Sequence, residues 1–157
     1  MFVSPSRRKN MAAIRSKNTA PEMTVRSALH HDGFRFRIHV QQLCGVPDIV
    51  LPKYKAAIFV NGCFWHCHQC STFRWPKTRP DFWRQKLEAN RLRDSFVRAE
   101  LLASGWRVAT VWECGLQRKD STATCLKLLE GWLRGDDTEF DMPIIPAPWP
   151  AMLAIDG

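Results

Sequence analysis

Asn61 to Cys70 reads NGCFWHCHQC, which puts three cysteines, two histidines, a phenylalanine and a tryptophan into ten residues. Metal ligands need fixed, polar surroundings, whereas large aromatics are usually buried. A chain that folds through this stretch has to satisfy both demands at once. Cys63, Cys67, His68 and Cys70 are local donors, His66 is a fifth, and Cys114, in the run VWECG, is a remote one. Structural zinc takes four thiolates and imidazoles in a tetrahedron. The local set is too compressed for two separated knuckles, so a compact loop clipped to a strand end by one remote cysteine is expected. Reduced cysteines packed for their bulk are the alternative. A zinc deaminase would require H-x-E and P-C-x-x-C, and neither motif occurs.

Six cysteines could instead form disulfides, but clustered cysteines beside histidines suit metal in a reducing compartment better. The opening residues, MFVSPSRRKN, lack the apolar centre of a secretory signal. No apolar run approaches the ~20 residues that cross a bilayer. The cytoplasm is therefore the expected location, with no membrane partner. A length of 157 residues suits one domain with one core, expected as a monomer. The net charge of +8 favours a polyanionic partner, nucleic acid first, with a solvated basic surface as the plain alternative. Seven Trp and nine Phe against one Tyr add planar side chains that can stack on bases or wedge between them.

The chain divides into a basic arm (1–18), a folded domain (19–134) and a proline-rich tail (135–157). Thr19, Pro21 and Glu22 form a helix start with a capping box, and the helix should stop near Gly33. FRFRIHV, 34–40, alternates as a half-exposed strand. The runs 48–51 and 56–60, joined by Pro52-Lys53-Tyr54-Lys55, predict a β-hairpin. A long helix should begin near Pro80, with Thr78 as its cap, and end before Gly105. A strand over 106–112 and a helix over 122–133 follow. The order α-β-β-β-α-β implies an α/β fold, a mixed sheet with helices on its faces.

On the long helix, at about 100° per residue, Trp83, Leu87, Asn90, Asp94, Val97 and Leu101 share one stripe. Phe82, Ala89, Leu92, Phe96, Ala99 and Ala103 share the opposite one, so contact on both sides is expected. Asn90 and Asp94 interrupt the first stripe. A carboxylate there needs a partner, either an arginine or a polar site beside the helix. Asp48, Glu22 and Asp94 are the acidic residues of interest, because carboxylates hold the hard cations used in phosphodiester cleavage. A turn-ending role for Asp48 and a capping role for Glu22 are the structural alternatives.

GVPDIV, YKAAIFVNGCFWHCHQC, FRWPKTRPDFW, NRLRD and GWRVATVWEC, with the arm NMAAIRSKNTAPE, resemble the very short patch repair (Vsr) endonucleases from about Lys9 to Leu116. The resemblance implies a restriction-endonuclease-like mixed β-sheet flanked by helices, with a structural zinc on Cys63, His68, Cys70 and Cys114. Cys67 falls on a non-ligand position. It also implies magnesium-dependent nicking of double-stranded DNA, as part of DNA repair, 5′ to the thymine of a T:G mismatch. Asp48 then holds magnesium, with the carbonyl of Val60 as a further ligand. His66 is the general acid/base, and Asp94 and Glu22 are supporting carboxylates. Phe64 and Trp65 form a wedge that enters the base stack, with Met11 inserted beside them. By analogy, mismatch-repair proteins are partners and the bacterial nucleoid is the site of action.

Zinc would then fix the backbone on both sides of Phe64-Trp65-His66. A rigid mount matters, because unstacking a base step costs a few kcal/mol and a loose loop would lose much of that to its own ordering. One residue departs from the pattern. The family usually reads H-G-C-F-W, and here Asn61 replaces the histidine. Asn cannot take a proton near neutral pH, so a slower but active enzyme is expected. Two rival readings remain: a non-catalytic, zinc-stabilised binder of distorted DNA, and a nicking nuclease of the same fold with another specificity.

Overall fold

The computed structural model describes residues 17–143. Helix α1 spans Ala20–His31, and strands β1 (Arg37–Ile38), β2 (Ile49–Leu51) and β3 (Ala56–Asn61) follow it. Helix α2 then spans Pro80–Ala103, followed by β4 (Arg107–Trp112), α3 (Lys119–Arg134) and β5 (Glu139–Met142). The strands form one sheet in the order β1-β2-β3-β4-β5. The β1–β2 and β2–β3 pairs are antiparallel, and the β3–β4 and β4–β5 pairs are parallel.

Alternation along β3 and β4 builds the two faces. Ala56, Ile58 and Val60 of β3, with Ala109 and Val111 of β4, pack against Val25 and Leu29 of α1 and Leu129 and Leu133 of α3. Ala57 and Val108 face the other way, onto Val97 and Leu101 of α2. Arg107 fastens the rear of the sheet: its guanidinium donates to the carbonyls of Leu133 and Gly135 at 3.2 and 3.0 Å. Those carbonyls lie at the end of α3, where the helix leaves acceptors unfilled.

Several expectations need correction. The strand expected over 34–40 shrinks to two exposed residues, Arg37 and Ile38, because Phe34 turns inward to the core beside Tyr54. Thr78 does not cap α2; Arg79 occupies that position in a left-handed conformation, with no side-chain cap. Residues 139–142, inside the segment read as tail, are a fifth strand parallel to β4, with Phe140 and Met142 turned to the core. The second stripe of α2 is not covered within the described residues: Phe82, Leu92 and Phe96 are 41%, 71% and 60% exposed. The sheet has only one face left for α2, so one side of this helix stays outward.

Between β1 and β2 the chain passes close under α2 at Gly45, whose φ is +75°. A Cβ at this position would lie 2.3 Å from Cγ1 of Val97. Gly45→Ala combines a left-handed backbone with overpacking, and a loss of about 2–4 kcal/mol is expected in urea unfolding. An unchanged midpoint would show that the 45–97 approach is slack.

Candidate nuclease centre and metal cluster

The hairpin brings its first residue to the mouth of the sheet. β2 and β3 pair Ile49 with Ile58, and one step further the Asp48 carboxylate accepts the Val60 N–H at 2.8 Å. On the other edge the β1–β2 ladder continues past Ile38, with the His39 N–H donating to the Asp48 carbonyl at 3.3 Å. Glu22 arrives from the first turn of α1 and is 1% exposed. Its Oε2 pairs with Arg26 at 2.9 Å and lies 3.3 Å from Nε2 of His39. Glu22 also serves the helix start, taking the Asn18 N–H at 3.1 Å while its own N–H reaches Thr19 Oγ1 at 3.3 Å. Donor atoms of Glu22, His39 and Asp48 all lie within 4.8 Å of one another, close enough to share a metal ion.

Burial raises the Asp48 carboxyl to about 6, against the lowering effect of the Val60 N–H, and the charge of Glu22 adds to the rise. A carboxylate kept short of water in this way gains from a nearby cation.

Across a cavity of about 720 Å³ stands the second half of the site. Glu22, Asp48, Val60, Asn61, Phe64, Trp65, His66, Asn90 and Asp94 all line this cavity. Nδ1 of His66 is 2.6 Å from Oδ2 of Asp94, and Nδ2 of Asn90 donates to the Trp65 carbonyl at 2.9 Å. The two residues that interrupt the apolar stripe of α2 therefore hold two successive residues of the loop. Asp94 takes a histidine here. Phe64 and Trp65 are half-buried: their rings meet edge to face at 5.1 Å, and both lean on Trp83. Lys86 lies 5.9 Å over the Trp65 ring, and Arg93 stands on the rim of the cavity. Met11 lies outside the described residues.

On either side of Phe64 and Trp65 in the chain, Cys63, His68, Cys70 and Cys114 present donor atoms within 4.8 Å of one another. Cys114 Sγ and His68 Nδ1 are 3.7 Å apart. A tetrahedral ion at bond lengths of about 2.0–2.3 Å spaces its ligands by roughly 3.3–3.8 Å, so the donors fit one after a small contraction. The other ring nitrogen of His68 reaches the Pro143 carbonyl at 3.0 Å, and its ring stacks on Trp112 at 4.1 Å. A second hydrogen bond of this kind fixes a ligand histidine in one tautomer. Burial lowers the His68 pKa, which favours the neutral ring that a metal needs. Burial raises the Cys114 thiol to about 11 and the Cys63 thiol further. At Cys70 burial acts upward but is outweighed by hydrogen bonds, among them Thr72 at 3.1 Å, and its thiol is lowered. The four residues form a group that can hold a metal ion. Cys67 stands apart from it, packed with Phe73 and Leu87.

His39 and Glu113 belong to this region and do not stand out in the sequence. His39 sits in a run that reads as a strand, and nothing local marks it as a ligand. Glu113 follows the strand signal of WRVATVW, and its carboxylate takes the Cys63 N–H at 3.3 Å.

The net charge of +8 attracts a polyanion to the chain. Converging carboxylates on one wall and a carboxylate-bound histidine on the other can neutralise charge and move a proton at a phosphodiester. On a mixed sheet flanked by helices, that combination places the chain among the restriction-endonuclease-like nucleases. Residues 1–72 match the family described as DNA mismatch endonuclease Vsr. The chain is 40% identical over 133 residues to the DNA mismatch endonuclease Vsr of Escherichia coli, covering 83% of this chain and 85% of that protein. It is 54% identical over 115 residues to the type II nicking enzyme V.XorIIP of Xanthomonas oryzae, covering 73% and 85%. With V.NmeAIP, a type II nicking enzyme of Neisseria meningitidis, identity is 41% over 134 residues, covering 85% and 94%. The chain belongs to the Vsr family of DNA mismatch endonucleases, and it is a DNA endonuclease. Among the described residues no helix is long and apolar enough to cross a membrane.

Proposed function

We propose that this endonuclease nicks duplex DNA on the 5′ side of the thymine in a T:G mismatch, leaving 5′-phosphate and 3′-hydroxyl ends. The supporting observation is that Asn90 and Asp94, one helical turn apart on α2, hold the Trp65 backbone and the His66 ring respectively. Wedge and proton-transfer group thus share one rigid support. Phe64 and Trp65 enter the base stack, and a mismatched pair gives way more easily than a matched one, which supplies part of the selectivity. Asp48 and the Val60 carbonyl are the ligands of magnesium, with Glu22 supporting Asp48. When bound there, magnesium supplies charge neutralisation at the attacking and leaving oxygens. With Nδ1 of His66 committed to Asp94, Nε2 is left to exchange a proton at the phosphodiester. Cys63, His68, Cys70 and Cys114 hold zinc, which fixes the wedge loop from both sides. Met11 completes the wedge from the arm, and the bacterial cytoplasm and its nucleoid are the place of action, with mismatch-repair proteins as partners.

The test is a nicking assay on a duplex carrying T:G at a central CT(A/T)GG site, with matched controls and with magnesium withdrawn. Nicking of the mismatched duplex alone, abolished without magnesium, is expected. Equal nicking of matched duplexes would contradict the mismatch reading. The type II nicking names of several relatives favour a second reading, a nicking enzyme with different flanking bases; a panel of flanking sequences separates the two.

Asn61 ends β3 and lines the cavity beside Asp48. Restoring a histidine there supplies a group that titrates near neutral pH. Asn61→His is expected to raise single-turnover nicking by at least about tenfold, a part of the ~10²–10⁴ that general acid–base catalysis contributes, since His66 already serves the wild type. No gain at any pH would mean that Asn61 does not limit the rate.

A further inference from the structure

Three donors converge at the mouth of the sheet, and one of them is a nitrogen. β1 continues its ladder to place His39 opposite Asp48, and α1 brings Glu22 beneath both. His39 takes a left-handed backbone conformation there, with φ of +49°, which disfavours any non-glycine residue. We propose that His39 is a further ligand of the cation held by Asp48, making a mixed nitrogen–oxygen site with Glu22 that favours manganese over magnesium. The inference rests on the cation role proposed for Asp48 and extends it with a nitrogen donor and a metal preference.

Two observations carry it. The first is spacing: ligands around an octahedral cation with bonds of about 2.0–2.2 Å lie roughly 3 to 4 Å apart. The donors of Glu22, His39 and Asp48 all lie within 4.8 Å and need only a small closure. The second is charge. Glu22 is already paired with Arg26 at 2.9 Å, so the two carboxylates and one guanidinium leave a net charge of about −1. Magnesium is held mainly by charge on oxygen ligands and keeps its waters. Manganese accepts an imidazole more readily than magnesium does, so a nitrogen donor and less net negative charge shift the balance from magnesium towards manganese.

The experiment uses the full chain with zinc in place and manganese as the probe. Pulsed electron paramagnetic resonance detects the ¹⁴N nucleus of an imidazole bound to Mn²⁺. Nitrogen coupling is expected in the wild type and in His66→Gln, which removes the imidazole that lines the cavity. In His39→Gln the coupling should vanish, and the ratio of nicking rates in manganese and magnesium should fall at least about tenfold. Wild-type protein without nitrogen coupling, or His39→Gln that retains it, overturns the inference. If His39→Gln does not fold, His66→Gln still decides, because His39 is then the imidazole grouped with Glu22 and Asp48 among the described residues. Normal nicking of the T:G duplex without nitrogen coupling would remove His39 alone. Nitrogen coupling without nicking in any cation would keep His39 as a ligand and overturn the nuclease role of Asp48.

Discussion

Asp48→Asn is expected to lower single-turnover nicking by about three orders of magnitude or more, while making the folded protein more stable near neutral pH. Asn keeps the shape and can still accept the Val60 N–H, so what is removed is charge. Charge stabilisation through a bound cation is worth several kcal/mol at the transition state, and each ~1.4 kcal/mol is tenfold in rate. The stability effect has the opposite sign. Burial raises the Asp48 carboxyl from 3.8 to about 6 in the folded state, so the folded protein binds that proton more tightly than the unfolded chain. The associated stability is present below the unfolded value near 4 and is lost as pH rises through about 6. Above pH 6, without added magnesium, the ionised carboxylate is a burden of about 2–3 kcal/mol at most. The neutral amide of the variant does not carry this burden. Urea unfolding at pH 4 and pH 8 should therefore show the variant gaining on the wild type as pH rises. A variant that loses stability at pH 8 would make Asp48 a structural residue and sink its placement at the reacting centre.

Cys114→Ala is expected to release the metal and to lower Tm by more than about 10 °C. Structural zinc contributes about 10–16 kcal/mol in small zinc-dependent peptides, and several kcal/mol lost from a domain of this size moves Tm by roughly 2–4 °C each. Cys114 is the remote member of the four-donor group. Its loss frees the Cys63–Cys70 loop from the strand end after β4, where the Glu113 contact with Cys63 remains among the described hydrogen bonds, beside the His68 contact with Pro143 after β5. The thiols also give this site a steep pH dependence. Cys114 is raised to about 11 and Cys63 higher, so metal uptake near neutral pH must expel their protons. Zinc affinity should fall about 10²-fold or more for each pH unit lowered. Competition with a chromophoric chelator between pH 6 and 8 measures this slope. A pH-independent affinity would show that these thiols are not the ligands.

The helices and the β2–β3 hairpin are legible because their signals are local: a cap at Thr19, a proline start at Pro80, and apolar runs bounded by a turn. The four soft donors are also readable, because they crowd one loop and Cys114 follows a clear strand. What escapes the sequence depends on long-range packing. EFDM has too short a pattern to read as a strand, and β5 exists because β4 offers it an edge. His39 becomes part of the site because a two-residue strand carries it opposite Asp48, which no local spacing reveals. The outward stripe of α2 looks like a second contact face because amphipathic spacing says which residues share a side, but not whether anything covers it. Asn61 is the reverse case: its departure from the family pattern is plain in the sequence, and its place at the end of β3 on the cavity wall gives that departure a location.

The central claim is that the metal-clamped loop is the mount from which Phe64 and Trp65 open the duplex and His66 reaches the phosphate. Its most direct measurement is single-turnover nicking of the T:G duplex by Cys70→Ala protein, with bound zinc and circular dichroism recorded on the same sample. The expected result is a folded domain with little zinc and a nicking rate at least about 10²-fold below wild type. Folded, zinc-free protein that nicks the mismatched duplex at the full rate would contradict the claim.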